Sequence, residues 1–118
     1  MDLGISGRTA AIAAGSAGLG LGAAKALSAE GVRVAICGRD SAKLEEAAAA
    51  IGGDVIALEA DLSTPSSGRD FVEQATSELG QLDILVTNAG GPPPGTFENT
   101  DLDAYQAAFD MNCRAMIE

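Results

Sequence analysis

AAGSAGLGLG, residues 13–22, carries four glycines within eight positions. The stretch follows a short apolar run and precedes an alanine-rich segment with helical periodicity. Glycine in a helix interior costs about 1 kcal/mol relative to alanine, so the pattern asks what approaches this backbone too closely for side chains. A strand-to-helix turn presents unbonded N–H groups and the positive end of the helix dipole. Glycines let a phosphate reach them without striking a Cβ. A tight, purely structural turn is the alternative explanation of the glycines alone.

The neighbouring segments set that turn in a repeating context. Arg8 to Ala14 reads as a buried strand, and residues 18–30 as a helix with Leu19, Ala23, Ala26 and Leu27 on its period, closed by Gly31. Val32 to Cys37 is a second strand. Ser41 to Ile51 is a helix with Asp40 or Ser41 as N-cap and Gly52-Gly53 as stop, and Asp54 to Ala60 is a third strand. Thr64-Pro65 reads as N-cap and first-turn proline of a helix with Phe71, Val72, Ala75 and Leu79 on one face, ended by Gly80. Leu82 to Thr87 is the fourth strand. NAGGPPPG, residues 88–95, holds three consecutive prolines and is neither helix nor central strand. It reads either as the rim of a ligand cleft or as a plain surface turn. Thr100-Asp-Leu-Asp103 matches a capping box, and Leu102, Tyr105, Phe109, Cys113 and Met116 form an apolar stripe behind it. Strands alternating with helices predict parallel strands, right-handed crossovers and helices on both faces of one sheet.

Composition narrows the function. The 118 residues make one domain, and the core must be built from Ala, Val, Ile and Leu, because the aromatic fraction is 3% with no Trp. Seven Lys plus Arg against seventeen Asp plus Glu leave a net charge of −10, which repels nucleic acid and anionic lipid. No apolar run is long enough for a membrane helix. The absence of His excludes His-based metal sites and His general bases, and Cys37 and Cys113 alone make no convincing zinc site. Two separated thiols with no signal peptide before them predict a cytoplasmic protein with no metal.

From the glycine turn onward the sequence resembles the short-chain dehydrogenase/reductase family, whose first turn runs Thr-Gly-x-x-x-Gly-x-Gly before a helix ending in Glu-Gly. Gly18-Leu19-Gly20 through Glu30-Gly31 aligns without a gap. Ala13 and Ala14 occupy the places of the motif's Thr and first Gly, with a glycine one position late at Gly15. Asp61-Leu62 follows the third strand and Asn88-Ala89-Gly90 the fourth, where the family holds adenine and carries its Asn-Ala-Gly signature. The resemblance spans essentially the whole chain. It implies a Rossmann-type doubly wound parallel sheet, cut after its fourth strand and the helix that follows. By the same resemblance the turn of Gly15, Ser16, Ala17, Gly18, Leu19 and Gly20 holds the pyrophosphate of a nicotinamide dinucleotide. Asp61 and Leu62 would hold adenine, and Asn88, Ala89 and Gly90 the ribose side.

Arg39 supplies the positive charge such a cofactor needs. In dinucleotide folds an acid near the end of the second strand accepts the 2′-hydroxyl of NAD, whereas an Arg accommodates the 2′-phosphate of NADP. Here Gly38 stands at the acid's place and Arg39 follows. A guanidinium holds a phosphate through paired hydrogen bonds and stacks on adenine, so the pattern favours NADP over NAD. A solvated Arg39 paired with Asp40 is the alternative, and Asp40 itself could reach a ribose. Asn88 could equally serve loop backbone groups, and Asp61 could neighbour the N-cap of the third helix.

Asn112 lies beside the apolar stripe and needs partners for its amide. It either bonds a nearby helix carbonyl or, by the resemblance, is the Asn of an Asn-Ser-Tyr-Lys catalytic tetrad. Tyr105 is the chain's one tyrosine, and Phe109 stands where a Tyr-x-x-x-Lys pair would need its lysine. Lys25 and Lys43 lie in the first two helices, which reads as away from the site. The last helix has no stop signal, so the chain is expected to be the cofactor-binding half of an NADP-dependent oxidoreductase, catalytically incomplete alone. Its partner would be a small carbonyl or secondary alcohol, with fatty-acyl (3-oxoacyl included), sugar and steroid-like carbonyls all compatible. The fourth strand would form a sheet edge and the stripe would be uncovered, which favours homo-oligomers. A non-catalytic nucleotide-binding or interaction module, and a methyltransferase with a similar first turn, are the competing readings. Arg39 and Asn-Ala-Gly argue against the methyltransferase.

Overall fold

Four short apolar segments pair into one sheet. The computed structural model describes residues 2–64, 66–89 and 94–117. β1 (Thr9–Ile12), β2 (Arg33–Gly38), β3 (Val55–Glu59) and β4 (Ile84–Val86) lie in the order β3-β2-β1-β4, each pair parallel. At the centre Ile12 stands opposite Ile36 on one side and Val86 on the other. Three crossover helices join the strands: α1 (Gly18–Ala29), α2 (Ser41–Ile51) and α3 (Ser67–Leu79). The alternation of β1 and β2 residues divides the core between two faces. Ala10, Ile12, Val34 and Ile36 pack with Ala24, Leu44 and Ala47 of α1 and α2. Ala11, Ala35 and Cys37 pack with Phe71, Ala75 and Leu79 of α3. Helices on both faces of a sheet with this strand order make a Rossmann-type doubly wound fold. Phe71, Ile12 and Ile36 are its largest fully buried side chains, and each such burial stabilises by about 1.5–3 kcal/mol.

Several boundaries and faces differ from the sequence reading, each for a local reason. β1 stops at Ile12 because Ala14 turns left-handed, with φ 51°. α3 begins at Ser67 rather than at Thr64-Pro65. The Thr64 hydroxyl donates to the Asp61 carbonyl (2.9 Å) and the Thr64 carbonyl accepts from the Ser67 hydroxyl (2.8 Å), so Thr64 belongs to the turn before α3, while Pro65 lies outside the described residues. α4 (Leu102–Phe109) is capped by Asp101, whose carboxylate accepts from the Ala104 N–H at 2.8 Å. The Thr100 hydroxyl is instead engaged by the Thr96 carbonyl at 2.6 Å. On α1 the buried positions are Gly20 and Ala24, whereas Ala26 is exposed and Leu19 is 88% exposed. The closest approach of α1 to the sheet is through its smallest residues, which turns Leu19 toward the cleft described below. The last helix is unbroken but not uniformly α: a π turn over Asp110–Arg114 lies between α4 and α5 (Ala115–Ile117). β4 pairs only with β1 among the described strands and is a sheet edge, as expected. The proline-rich loop falls outside the described residues at 90–93, Gly90 included.

Candidate functional site at the carboxyl edge of the sheet

The chain turns from β1 into α1 through a short, heavily anchored segment. The Ala13 N–H donates to the Val86 carbonyl and the Gly15 N–H to the Cys37 carbonyl, both at 3.0 Å. Between them the Ala14 N–H donates to the Cys37 thiol sulfur at 3.4 Å, and the Ala14 carbonyl accepts from the Asn88 side-chain amide at 3.4 Å. Gly20 sits against this turn. A Cβ there would run into the Ala14 carbonyl oxygen and lie 2.9 Å from Asn88 Nδ2. Only glycine lets α1 start this close to β1. Gly18 has φ +57° and open space where a Cβ would stand, so the backbone is bare toward solvent.

The start of α1 is also uncapped. Ala17 occupies the N-cap and offers no side-chain acceptor, and no acid stands in the first turn. The first intrahelical bond runs from the Leu21 N–H to the Ala17 carbonyl (3.2 Å), leaving the N–H groups of Gly18, Leu19 and Gly20 without intrahelical acceptors. α2, by contrast, is capped by Asp40, which accepts from the Ala42 and Lys43 N–H groups at 2.9 and 3.3 Å. An uncapped helix start facing an open cleft is a site for an anion. The residues therefore fit a phosphate-bearing ligand.

The cleft has a volume of about 440 Å³ and lies across the carboxyl ends of the strands. Ser16, Ala17, Gly18 and Leu19 line it from the turn, with Gly15 and Gly20 buried beneath. Arg39, Asp61 and Leu62 line it from the ends of β2 and β3, and Asn88 and Ala89 from the end of β4. Arg39 makes no ion pair within 4.0 Å among the described residues. Asp40 is turned to its helix cap, so the expected alternative of an Arg39–Asp40 pair is not what forms. Lys43 also lines the cleft, one turn into α2. The sequence reading set it apart from the expected catalytic lysine and gave it no cofactor role. Its position three residues past the N-cap of a helix that starts at the sheet's carboxyl edge was the available signal. A protein of net charge −10 thus gathers two cations at the mouth of one cleft.

Asp61 has a structural role in the same region. Its carboxylate accepts from the Ser63 hydroxyl (2.6 Å) and the Ser63 N–H (3.0 Å). These bonds, with a smaller contribution from Arg39, hold its pKa below the ordinary carboxylate value. Asn88 likewise serves backbone, through Ala14. Cys37, wholly buried at the foot of the cleft, has its thiol pKa pushed up by burial, partly offset by the Ala14 N–H. Asn112 is not brought into the cleft. Its side chain is exposed and donates to the Ala108 carbonyl at 3.0 Å within the same helix. Its neighbour Met111 lines the cleft instead. Ala14, Cys37, Lys43, Ala60 and Met111 are lining residues that sequence reasoning missed, and Gly38 and Asp40, weighed there at the end of the second strand, line the cleft too.

The family model for short chain dehydrogenases matches residues 8–118. A hydroxynaphthalene reductase of Aspergillus fumigatus is 34% identical over 117 residues, covering 96% of this chain and 43% of its own. A Burkholderia cenocepacia short chain dehydrogenase solved in complex with NADP is 35% identical with a TM-score of 0.89, covering 96% of this chain and 48% of that one. A 3-ketoacyl-(acyl-carrier-protein) reductase of Brucella melitensis complexed with NADH is 32% identical with a TM-score of 0.85, covering 96% and 47%. The chain therefore spans less than half the length of these relatives. Because the match takes in every strand, the uncapped turn and both cations of the cleft, the chain belongs to the short-chain dehydrogenase family.

Proposed function

We propose that this chain binds NADP in the cleft and supplies the cofactor-binding half of a short-chain reductase acting on a carbonyl or secondary alcohol. The observation that carries the reading is the bare, uncapped start of α1 beneath a cleft whose rim holds Arg39 and Lys43. When bound, the dinucleotide supplies the hydride. The N–H groups of Gly18, Leu19 and Gly20 hold its pyrophosphate, and Gly15, Ser16 and Ala17 shape the turn. Arg39 and Lys43 take the 2′-phosphate, which favours NADP over NAD. Asp61 and Leu62 border the adenine, and Asn88, Ala89 and Gly90 the ribose side, with Gly90 outside the described residues. Asn112 keeps the catalytic role implied by the family resemblance. In support, it sits in the π turn, a conformation that recurs at functional sites, and Met111 beside it reaches the cleft.

Coverage of less than half of each relative supports the view that the remaining catalytic groups belong to further chain. A 3-oxoacyl thioester is one compatible substrate class. The free thiols of Cys37 and Cys113 support a reducing, cytoplasmic setting, and no helix among the described residues is long and apolar enough to cross a membrane. Self-association is part of the same proposal, carried by the bare edge of β4.

Fluorescence titration with NADPH and NADH tests the reading. NADPH should bind more tightly, and Arg39→Gln should weaken it about tenfold, near the low end for a charge-assisted hydrogen bond because the site is exposed. NADH binding should barely change. Absence of binding by either dinucleotide, or equal loss for both in the variant, overturns the proposal.

A further inference from the structure

The phosphate turn depends on a residue in the unfavourable left-handed region that is not glycine. Ala14, with φ 51°, is one of two non-glycine residues with positive φ among the described residues. A left-handed alanine persists only where its surroundings over-determine it. Val86 and Cys37 fix the N–H groups on either side, of Ala13 and Gly15, through their carbonyls. Asn88 holds the Ala14 carbonyl. The Ala14 N–H itself meets one acceptor, the Cys37 sulfur, and Cys37 is wholly buried, so water does not compete for that contact.

We propose that Cys37 is a positioning residue for dinucleotide binding, its thiol sulfur holding Ala14 left-handed so that the start of α1 faces the cleft. This rests on the functional reading above. The route from thiol to ligand is short. The Ala14 carbonyl abuts Gly20, whose N–H is one of those offered to the anion. When Ala14 relaxes toward a right-handed or extended conformation, its carbonyl swings and the α1 start no longer seats against Asn88. The apparent dissociation constant then rises in inverse proportion to the fraction of molecules with the turn formed. Glycine visits the left-handed region without penalty, so a glycine at position 14 makes the thiol dispensable.

The test is a double-mutant cycle read by NADPH titration on the full chain. Cys37→Ala, and Cys37→Val as a volume-filling variant without an acceptor, should each weaken binding about five-fold, the scale of one ordinary hydrogen bond. In the Ala14→Gly background the same changes should cost less than two-fold. Equal losses in both backgrounds, or no loss in either, overturn the proposal. Urea unfolding of the same variants reads the thiol–turn coupling without any cofactor. If the unmodified chain binds neither dinucleotide, the functional reading fails and takes the binding role with it. Additive unfolding effects at positions 14 and 37 would overturn the clamp itself, so the two failures are distinguishable.

Discussion

At the residue scale, the departure of Ala14 from the family's first-turn glycine falls on a backbone position that turns left-handed. For an L-residue this conformation costs about 1–2 kcal/mol. Glycine removes the penalty but brings an unfolded-chain entropy loss of about 0.4–1 kcal/mol. The first effect is the larger, so Ala14→Gly is expected to stabilise the chain by about 0.5–1 kcal/mol. A rise in urea midpoint with unchanged slope would register it, and a fall would show that the turn is not strained as described. The sequence showed that a glycine had moved one place, to Gly15. It did not show the handedness of Ala14, because that depends on Cys37 and Asn88, 23 and 74 positions away. The orientations of Lys43 and Asn112 were not legible for the same reason: facing the cleft or facing away is set by where a helix lands on the sheet.

At the element scale, carboxylates do structural work at both ends of the sheet. Asp83 accepts from the Thr9 N–H (3.0 Å) and hydroxyl (3.2 Å), tying the start of β4 to β1. The Thr9 N–H bond is the largest cause of the lowered Asp83 pKa. Asp61 is lowered by Ser63 in the turn before α3. A carboxyl whose pKa is lower folded than unfolded stabilises fully above its unfolded value, about 4, and loses that stabilisation as pH falls through the folded value. Urea midpoints measured from pH 6 downward should therefore stay level with respect to these two groups until about pH 4 and then drop. Asp83→Asn should flatten part of that drop. A drop of unaltered size in Asp83→Asn would assign the acid sensitivity elsewhere. The capping differences follow equally local chemistry. Asp101 is the N-cap, its carboxylate accepting from the Ala104 N–H, while the Thr100 hydroxyl donates back to the Thr96 carbonyl in the preceding turn.

At the scale of the whole molecule, several large apolar side chains are left open. Leu85 on the edge strand is 47% exposed, and Leu102 and Phe109 of α4 are 84% and 54% exposed. An apolar hollow of about 410 Å³ lies between α3 and Ala115–Ile117, with Phe71 and Leu85 in its walls. Exposed apolar surface beside an unpaired strand edge favours association. Sedimentation velocity should show species larger than a monomer that grow with concentration, and Leu85→Lys should shift them toward monomer. A monomer at all concentrations before any substitution would contradict this.

The β/α alternation, the glycine turn, the stop at Gly80 and the cation at Arg39 were determined by the sequence alone. Each is written in a few adjacent residues, through periodicity, chain stiffness or charge. The order β3-β2-β1-β4, the left-handed Ala14, the inward Lys43 and the outward Asn112 were decided only by the tertiary structure. These depend on contacts between segments distant in the chain, where packing against the sheet outweighs local preference.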